Sequence, residues 1–446
     1  MKLNWFSPLP PATTDIAHYT ERLLPALSSV AEVTLWTDQR DWDRQLEKFA
    51  DIRSYRLERM RWVELNRADM TFYQMGNNPR FHGTIWQVSR LHAGVVVLHD
   101  FRLHHFFDGL YRVEFRDRDS YLAVMQRYYG EQGRRDAEHC YQTEARNIDY
   151  MAERYPLTNL ALENAIGVVV HTKDSFDSLA NNQQWPLAYA PLPFPLNAAG
   201  ISTTLRSRKA VDSRYRLIVF GYIGRNRRLN SIFRALAEIP ERDRFHLEVF
   251  GSILDEEKQI RAEIKSLNLR NHVTLHGFTP EEELDRALSE SDLAINLRFP
   301  TMGEASGSQL RIWAHALPSL VSRVGWYASL SPEIAAFVRP DENEVADIQK
   351  HLRSFLANPQ RFAKMGERGR KELEEKHSPE GYARALLQIA KRARNYRPRA
   401  AYLALAERAA AGVGDWLGPE LADETFRRVA GEIYVMTGEV IDANRH

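Results

Sequence analysis

Residues 299–324 read FPTMGEASGSQLRIWAHALPSLVSRV, and the apolar run DLAINL (Asp292 to Leu297) leads into them. A buried strand that ends in small residues and then opens a helix aims several backbone N–H groups at one point, with the positive end of the helix dipole behind them. The turn here is Gly303-Glu304-Ala305-Ser306-Gly307-Ser308; Leu310, Ile312 and Trp313 then start a short helix that Leu317-Pro318 stops. Gly307 permits close backbone approach, Ser306 and Ser308 offer hydroxyls, and Glu304 sets a carboxylate at the rim. The spacing suits a phosphate, although an ordinary capped helix with a solvated Glu would read the same way. A P-loop ATPase is not supported, because no G-x-x-x-x-G-K-[ST] run is present.

With the strand before it and the SLVS strand after it, this stretch resembles the donor-sugar motif of glycosyltransferase family 4, the retaining GT-B enzymes of glycosyl transferases group 1. The resemblance implies an α/β protein of two Rossmann-like doubly wound domains facing across a cleft. It implies a nucleotide diphosphate sugar (GDP-, UDP- or dTDP-linked) as co-substrate, with no cofactor and no essential metal. Glu304 would then hold sugar hydroxyls, and Ser306, Gly307 and Ser308 would hold the donor diphosphate. The family carries a second Glu, for the donor ribose, where this chain has Arg311 or Ile312. That departure suggests Arg311 as a donor contact instead.

The chain has 446 residues, enough for two ordinary domains. Sixty basic residues against 59 acidic give a net charge of +1, so no nucleic-acid partner is implied. Cys140 stands alone, which excludes an intrachain disulfide, and Pro8, Pro10 and Pro11 occupy the place where a signal peptide needs an apolar run. Runs such as GVVVL and IGVVV are far short of the roughly 18 residues that span a bilayer. A cytoplasmic protein is expected.

The first half alternates strand and helix. KLNWFS is a strand, PLPPATTD a loop, and Ile16 to Ser28 a helix with Ile16, Tyr19, Leu23, Leu24 and Leu27 on one face. Asp15 or Thr14 is a candidate N-cap, and each is also a candidate acceptor contact, since a carboxylate would repel a diphosphate. Glu32 to Asp38, Asp69 to Asn77 and Ala93 to Asp100 are further strands; the last is apolar throughout, as a strand buried on both faces should be. It ends in His99-Asp100, and α/β proteins keep their chemistry at such strand ends. The resemblance implies that His99 contacts the transferred sugar; a structural His is the alternative. His99, His104 and His105 with Asp100 form a weak metal pattern without a matching Cys or carboxylate cluster, and no metal is expected. Residues 111–155 form a charged helical insertion, and Ala165 to Leu179 a closing strand and helix.

YAPLPFPLNAAG (Tyr189 to Gly200) is rich in Pro and Gly and reads as the linker between domain 1–195 and domain 196–377. RLIVFGYIGRNRRLNSIF follows as strand, basic loop and helix from about Leu229. Arg225, Arg227 and Arg228 suit an anion there, although such clusters are commonly just solvated. The resemblance implies that Arg227 takes the place of a diphosphate-binding Lys, with Tyr222 near the place of an Arg. Thr279 with Glu282 reads as a capping box, Gly325-Trp326 as the exit of a strand, residues 378–396 as a helix crossing back to the first domain, and 397–446 as a helical tail. The basic run from Lys391 to Arg399 is read as a solvated helix before a weak peripheral contact with the inner face of a membrane.

The function these readings support is retaining transfer of a sugar to a glycan or lipid-linked acceptor, in cell-surface polysaccharide synthesis. A catalytically degenerate GT-B protein that binds a nucleotide sugar or a partner without transfer is the alternative.

Overall fold

A computed structural model describes residues 1–142, 147–181, 185–196, 214–253, 257–417 and 428. Its strands are β1 (Lys2–Phe6), β2 (Glu32–Thr37), β3 (Asp51–Ser54), β4 (Met70–Met75), β5 (Gly94–Leu98), β6 (Ala165–Val170) and β7 (Leu187–Tyr189), then β8 (Tyr215–Phe220), β9 (Phe245–Phe250), β10 (Val273–Gly277), β11 (Leu293–Asn296), β12 (Ser319–Ser322) and β13 (Ala336–Val338). They form a seven-stranded sheet ordered β3-β2-β1-β4-β5-β6-β7 and a six-stranded sheet ordered β10-β9-β8-β11-β12-β13. Every pairing is parallel. This is the two-domain GT-B architecture that the resemblance implied.

The central strands explain why the sheets are parallel and covered. Every residue of MTFYQM, GVVVL and AIGVVV is buried, which requires helices on both faces. On one face of the first sheet pack Phe6, Trp36, Trp86 and Phe107; on the other pack Trp5, Phe72 and the helix Pro379–Leu417. That long helix follows the second domain yet lies against β6, where a Cβ on Gly167 would sit 3.2 Å from the Ala393 methyl. Tyr382 on it accepts a hydrogen bond from the Tyr19 hydroxyl of the Asp15–Ser28 helix at 2.9 Å.

Several local expectations need correction. β3 and β7 escape the sequence pattern because they are short edge strands, DIRS and LAY, with little apolar alternation. Thr14 stands at the N-cap position and Asp15 is the first helical residue, but neither side chain caps. Thr279 is no cap either: the helix Glu281–Glu290 follows Pro280, and the Thr279 hydroxyl donates back to the Gly277 carbonyl at 3.2 Å. Gly325-Trp326 open a short helix, Gly325–Ala328, after the strand has ended at Ser322, and Gly325 takes a left-handed φ of 50° at its start. The insertion is no loose excursion: its helix Arg118–Gln142, broken at Gly130, buries Tyr121, Leu122, Met125 and Ala137 in the first-domain core. The end of the expected linker, 197–200, and most of the tail, 418–427 and 429–446, lie outside the described residues. Among the described residues no helix is long and apolar enough to cross a membrane.

Candidate active site

The carboxyl ends of both sheets meet at two loops. From the second domain, the carbonyl of Met302 accepts the backbone N–H groups of Phe101 and Arg102 at 2.9 and 2.8 Å, and that of Thr301 accepts Arg102 Nη1 at 2.7 Å. Gly303 has φ of 83°, and a Cβ there would sit 2.7 Å from that of Phe101. Only glycine lets these backbones approach so closely. The turn after β11 is therefore joined directly to the turn after β5.

Beside that junction a helix start meets a buried arginine, a candidate anion cradle. Helix Gly307–Ala314 is capped by Ser306, whose Oγ accepts the Gln309 N–H at 3.1 Å and the Tyr327 hydroxyl at 2.7 Å. The Ser306 side chain is thus committed to holding the turn, while the space beside Gly307 is open, with nothing within 4 Å of where a Cβ would stand. Ser308 Oγ accepts from Arg227 Nη2 at 3.3 Å. Arg227 reaches it from the turn after β8, 4% exposed, fixed by Nη1 on Asn296 Oδ1 at 2.9 Å. Asn296 in turn donates to Gln309 Oε1 and Tyr327 Oη, so one buried network holds cap and guanidinium together. Gly221 has φ of 109°, and a Cβ there would come within 2.7 Å of Arg227 Nη2. Burial, with the nearby Arg298 charge, pulls the Arg227 guanidinium down to about 10, against the opposing charges of Asp15 and Glu304, so it stays charged at neutral pH.

The basic cluster of the sequence divides in the fold. Arg228, at a left-handed φ of 59°, turns away to the carboxylate of Glu344 at 2.7 Å. Arg225 lies exposed on the short 3-10 turn.

Glu304 is more tightly held than a rim carboxylate. It accepts from Arg298 Nη1 at 2.7 Å, Thr301 Oγ1 at 2.8 Å and the Met302 N–H at 2.7 Å. Burial works to raise its carboxyl, but Arg298 and these donors hold it below the usual range. Arg298 had no signal in the sequence beyond its place at the end of an apolar strand. Across the junction Asp100 Oδ2 accepts the Asn77 N–H at 2.8 Å. Burial pushes Asp100 up to about 7, Glu304 adds to the rise, and the Asn77 N–H and Arg298 oppose it. Asp100 was quoted in the sequence beside His99 but not singled out; its polar position closing a buried strand was the available signal.

His99 stands next to it. Its Nε2 donates to Gln74 Oε1 at 2.9 Å, and its ring meets Tyr19 edge-on at 4.7 Å and His171 at 4.9 Å between centroids. Burial, then the neighbouring His171 and His82, keep it neutral. Asp15 lies near enough for its charge to act on Asp100, Arg298 and Arg227, and Tyr222 bonds to Thr13 of the same loop. Thr14, at the start of the helix, gives its side chain no capping role.

One expected contact goes elsewhere. Arg311 is buried against helix Glu281–Glu290, with Nε on Asp285 Oδ1 at 2.9 Å, Nη1 on Glu281 Oε1 at 3.0 Å and Nη2 on the Glu281 carbonyl at 3.1 Å. Its donors are spent inside the second domain, and Ile312 is fully buried. His104 likewise serves the fold, bonded to the Tyr155 carbonyl and the Tyr121 hydroxyl. Among the described residues no group of three or more His, Cys, Asp or Glu could hold a metal ion.

Residues 202–372 match the family model of glycosyl transferases group 1. No curated protein matches the chain in sequence. Among solved structures, Anabaena HepE in complex with UDP-glucose is similar at a TM-score of 0.58 and 13% identity, covering 88% of this chain and 98% of that one. Sucrose-phosphate synthase from Thermosynechococcus elongatus gives 0.57 and 18%, with 88% and 98% covered. WaaG, a glycosyltransferase involved in lipopolysaccharide biosynthesis, gives 0.54 and 14%, with 88% and 99% covered. The chain is a transferase enzyme of GT-B fold, and most of its second domain matches the glycosyl transferases group 1 model.

Proposed function

We propose that the chain moves a sugar from a nucleotide diphosphate sugar to a hydroxyl of a glycan or lipid-linked acceptor, with retention at the anomeric carbon, in cell-surface polysaccharide synthesis. The observation that carries this reading is the buried Arg227, hydrogen-bonded to Ser308 beside the open start of helix Gly307–Ala314. In such a transfer the bond from the anomeric carbon to the diphosphate breaks, and negative charge grows on the leaving oxygen. Arg227 and the amides of Gly307 and Ser308 meet that charge in a preorganised, poorly hydrated place. Glu304, ionised by its Arg298 partner, accepts sugar hydroxyls, and His99 meets the sugar or the acceptor from the other domain. Thr14 and Asp15 line the acceptor side. HepE was solved with UDP and with UDP-glucose, which supports a nucleotide sugar, and WaaG is involved in lipopolysaccharide biosynthesis, which supports a cell-surface product.

A thermal-shift screen against UDP, GDP, dTDP and ADP sugars tests the reading. A selective rise with one of them is expected; no shift with any of them overturns it. The second reading, binding without transfer, is favoured by the commitment of Arg311 to Asp285 and Glu281. Hydrolysis of the bound donor would exclude it.

A further inference from the structure

Behind His99 lies a set of buried polar groups that the proposed transfer does not use. Gln74 is fully buried on β4, whose other residues are buried as well. Its side-chain oxygen accepts from His99 Nε2 at 2.9 Å, and its backbone carbonyl accepts from Nδ1 of His82 at 2.9 Å. A polar side chain buried near the end of a parallel strand is costly unless it is hydrogen-bonded. Here it has one geometric consequence.

A neutral imidazole owns a single N–H. On His99 that N–H is spent on Gln74, so Nδ1 carries the lone pair, and Nδ1 has no partner among the described residues. A second proton is disfavoured by every element packed on the ring. His171 at the end of β6 and His82 of helix Pro79–Leu91 add repulsion, while Tyr19 and, behind His171, Tyr382 offer only neutral hydroxyls. Asp100, the adjacent residue, directs Oδ2 to Asn77 instead.

We propose that Gln74 is a positioning residue that fixes His99 as an obligate hydrogen-bond acceptor, so that Nδ1 receives the O–H of a sugar or acceptor hydroxyl. The inference rests on the proposed role of His99 at the transferred sugar. It goes beyond that role by assigning the direction of the hydrogen bond and the residue that sets it. A ligand with a hydroxyl at this point is favoured over one presenting only an acceptor oxygen there, because two lone pairs would face each other.

The first measurement needs no ligand. In the full chain labelled with 15N-histidine, the ring signals of His99, identified by their loss in His99→Asn, should show one neutral tautomer with Nε2 protonated from about pH 5 to 8. A proton on Nδ1, as a reversed Gln74 amide would require, overturns the proposal. Gln74→Met keeps the chain length but removes the acceptor, and it should give a mixture of tautomers. An unchanged tautomer in that variant overturns it too. If Gln74→Met does not fold, the wild-type tautomer still decides.

The second measurement uses the nucleotide sugar selected by the thermal-shift screen. Gln74→Met should lower kcat by about tenfold and change the donor KM by less than about threefold. Gln74→Glu keeps the acceptor oxygen but favours a protonated ring, so it should retain most turnover at pH 8 and lose it as the pH falls. Equal losses of both variants at every pH would show a merely structural residue. Absence of turnover with all of the sugars would sink the proposed function, while the tautomer result would stand on its own.

Discussion

Arg227 Nη2 lies 3.3 Å from Ser308 Oγ, joining the turn after β8 to the first turn of a helix 81 residues later. The pair closes one side of the open space at Gly307, with the guanidinium buried and fixed from behind by Asn296.

The first prediction separates Arg227 from Arg228. Arg227→Ala should weaken binding of the bare nucleoside diphosphate by about 1.5 to 3 kcal/mol, the range of a charge-assisted hydrogen bond. It should leave the unliganded protein within about 1 kcal/mol of its original stability, because a desolvated cation is removed along with its contacts. Arg228→Ala strands Glu344, whose side chain is 2% exposed, and should cost about 3 kcal/mol of stability. Calorimetric binding and denaturant unfolding of both variants check the contrast, with the exposed Arg225→Ala as the mild control. Equal, small effects from all three would reduce the cluster to solvated surface.

Glu304→Gln and His99→Ala should each cut turnover at least about tenfold, or about 1.4 kcal/mol of barrier. Affinity for the bare diphosphate should stay nearly constant, since the hydrogen bonds of both side chains go to groups other than Arg227 and the start of helix Gly307–Ala314. Steady-state rates beside calorimetry check this. Loss of diphosphate binding would put these groups in the wrong place.

The Asp100 carboxyl gives a pH signature. It titrates near 7 in the fold, against about 3.9 for an ordinary Asp, so between those values the folded chain holds more protons than the unfolded one. This contribution to stability is full below about pH 4 and is lost as the pH rises towards 7. Asp100→Asn removes the titration and should raise stability relative to the parent at pH 8, by at least about 1 kcal/mol more than at pH 5. Denaturant midpoints at the two pH values read it. A constant difference would mean that Asp100 ionises normally.

Gly303→Ala should loosen the junction of the two domains. The residue sits at φ of 83°, and the added methyl would press on Phe101. A cost of about 1 to 3 kcal/mol is expected from the backbone alone. Faster proteolysis at the junction and a larger hydrodynamic radius would accompany it; an unchanged radius and stability would speak against so tight a contact.

What the sequence determined by itself is the local part of this protein. Apolar runs such as GVVVL and AIGVVV read as strands buried on both faces, and DLAINL followed by small residues and a helix start reads as amides turned to one point. Two parallel sheets, the cradle at Ser306 to Ser308 and the strand end at His99-Asp100 follow from periodicity and turn chemistry. What a side chain does with its donors is not local. RNRR offers three similar cations, and only the position of Glu344 and Ser308, far along the chain, decides that Arg228 is structural and Arg227 faces the cradle. Arg311 looked available because Glu281 and Asp285, which take up its guanidinium, belong to another helix. Arg298 and Asp100 acquire their importance only when the turns after β11 and β5 are brought together. The shifted protonation of Asp100 depends on desolvation and on charges from both domains, and those exist only once the chain has folded.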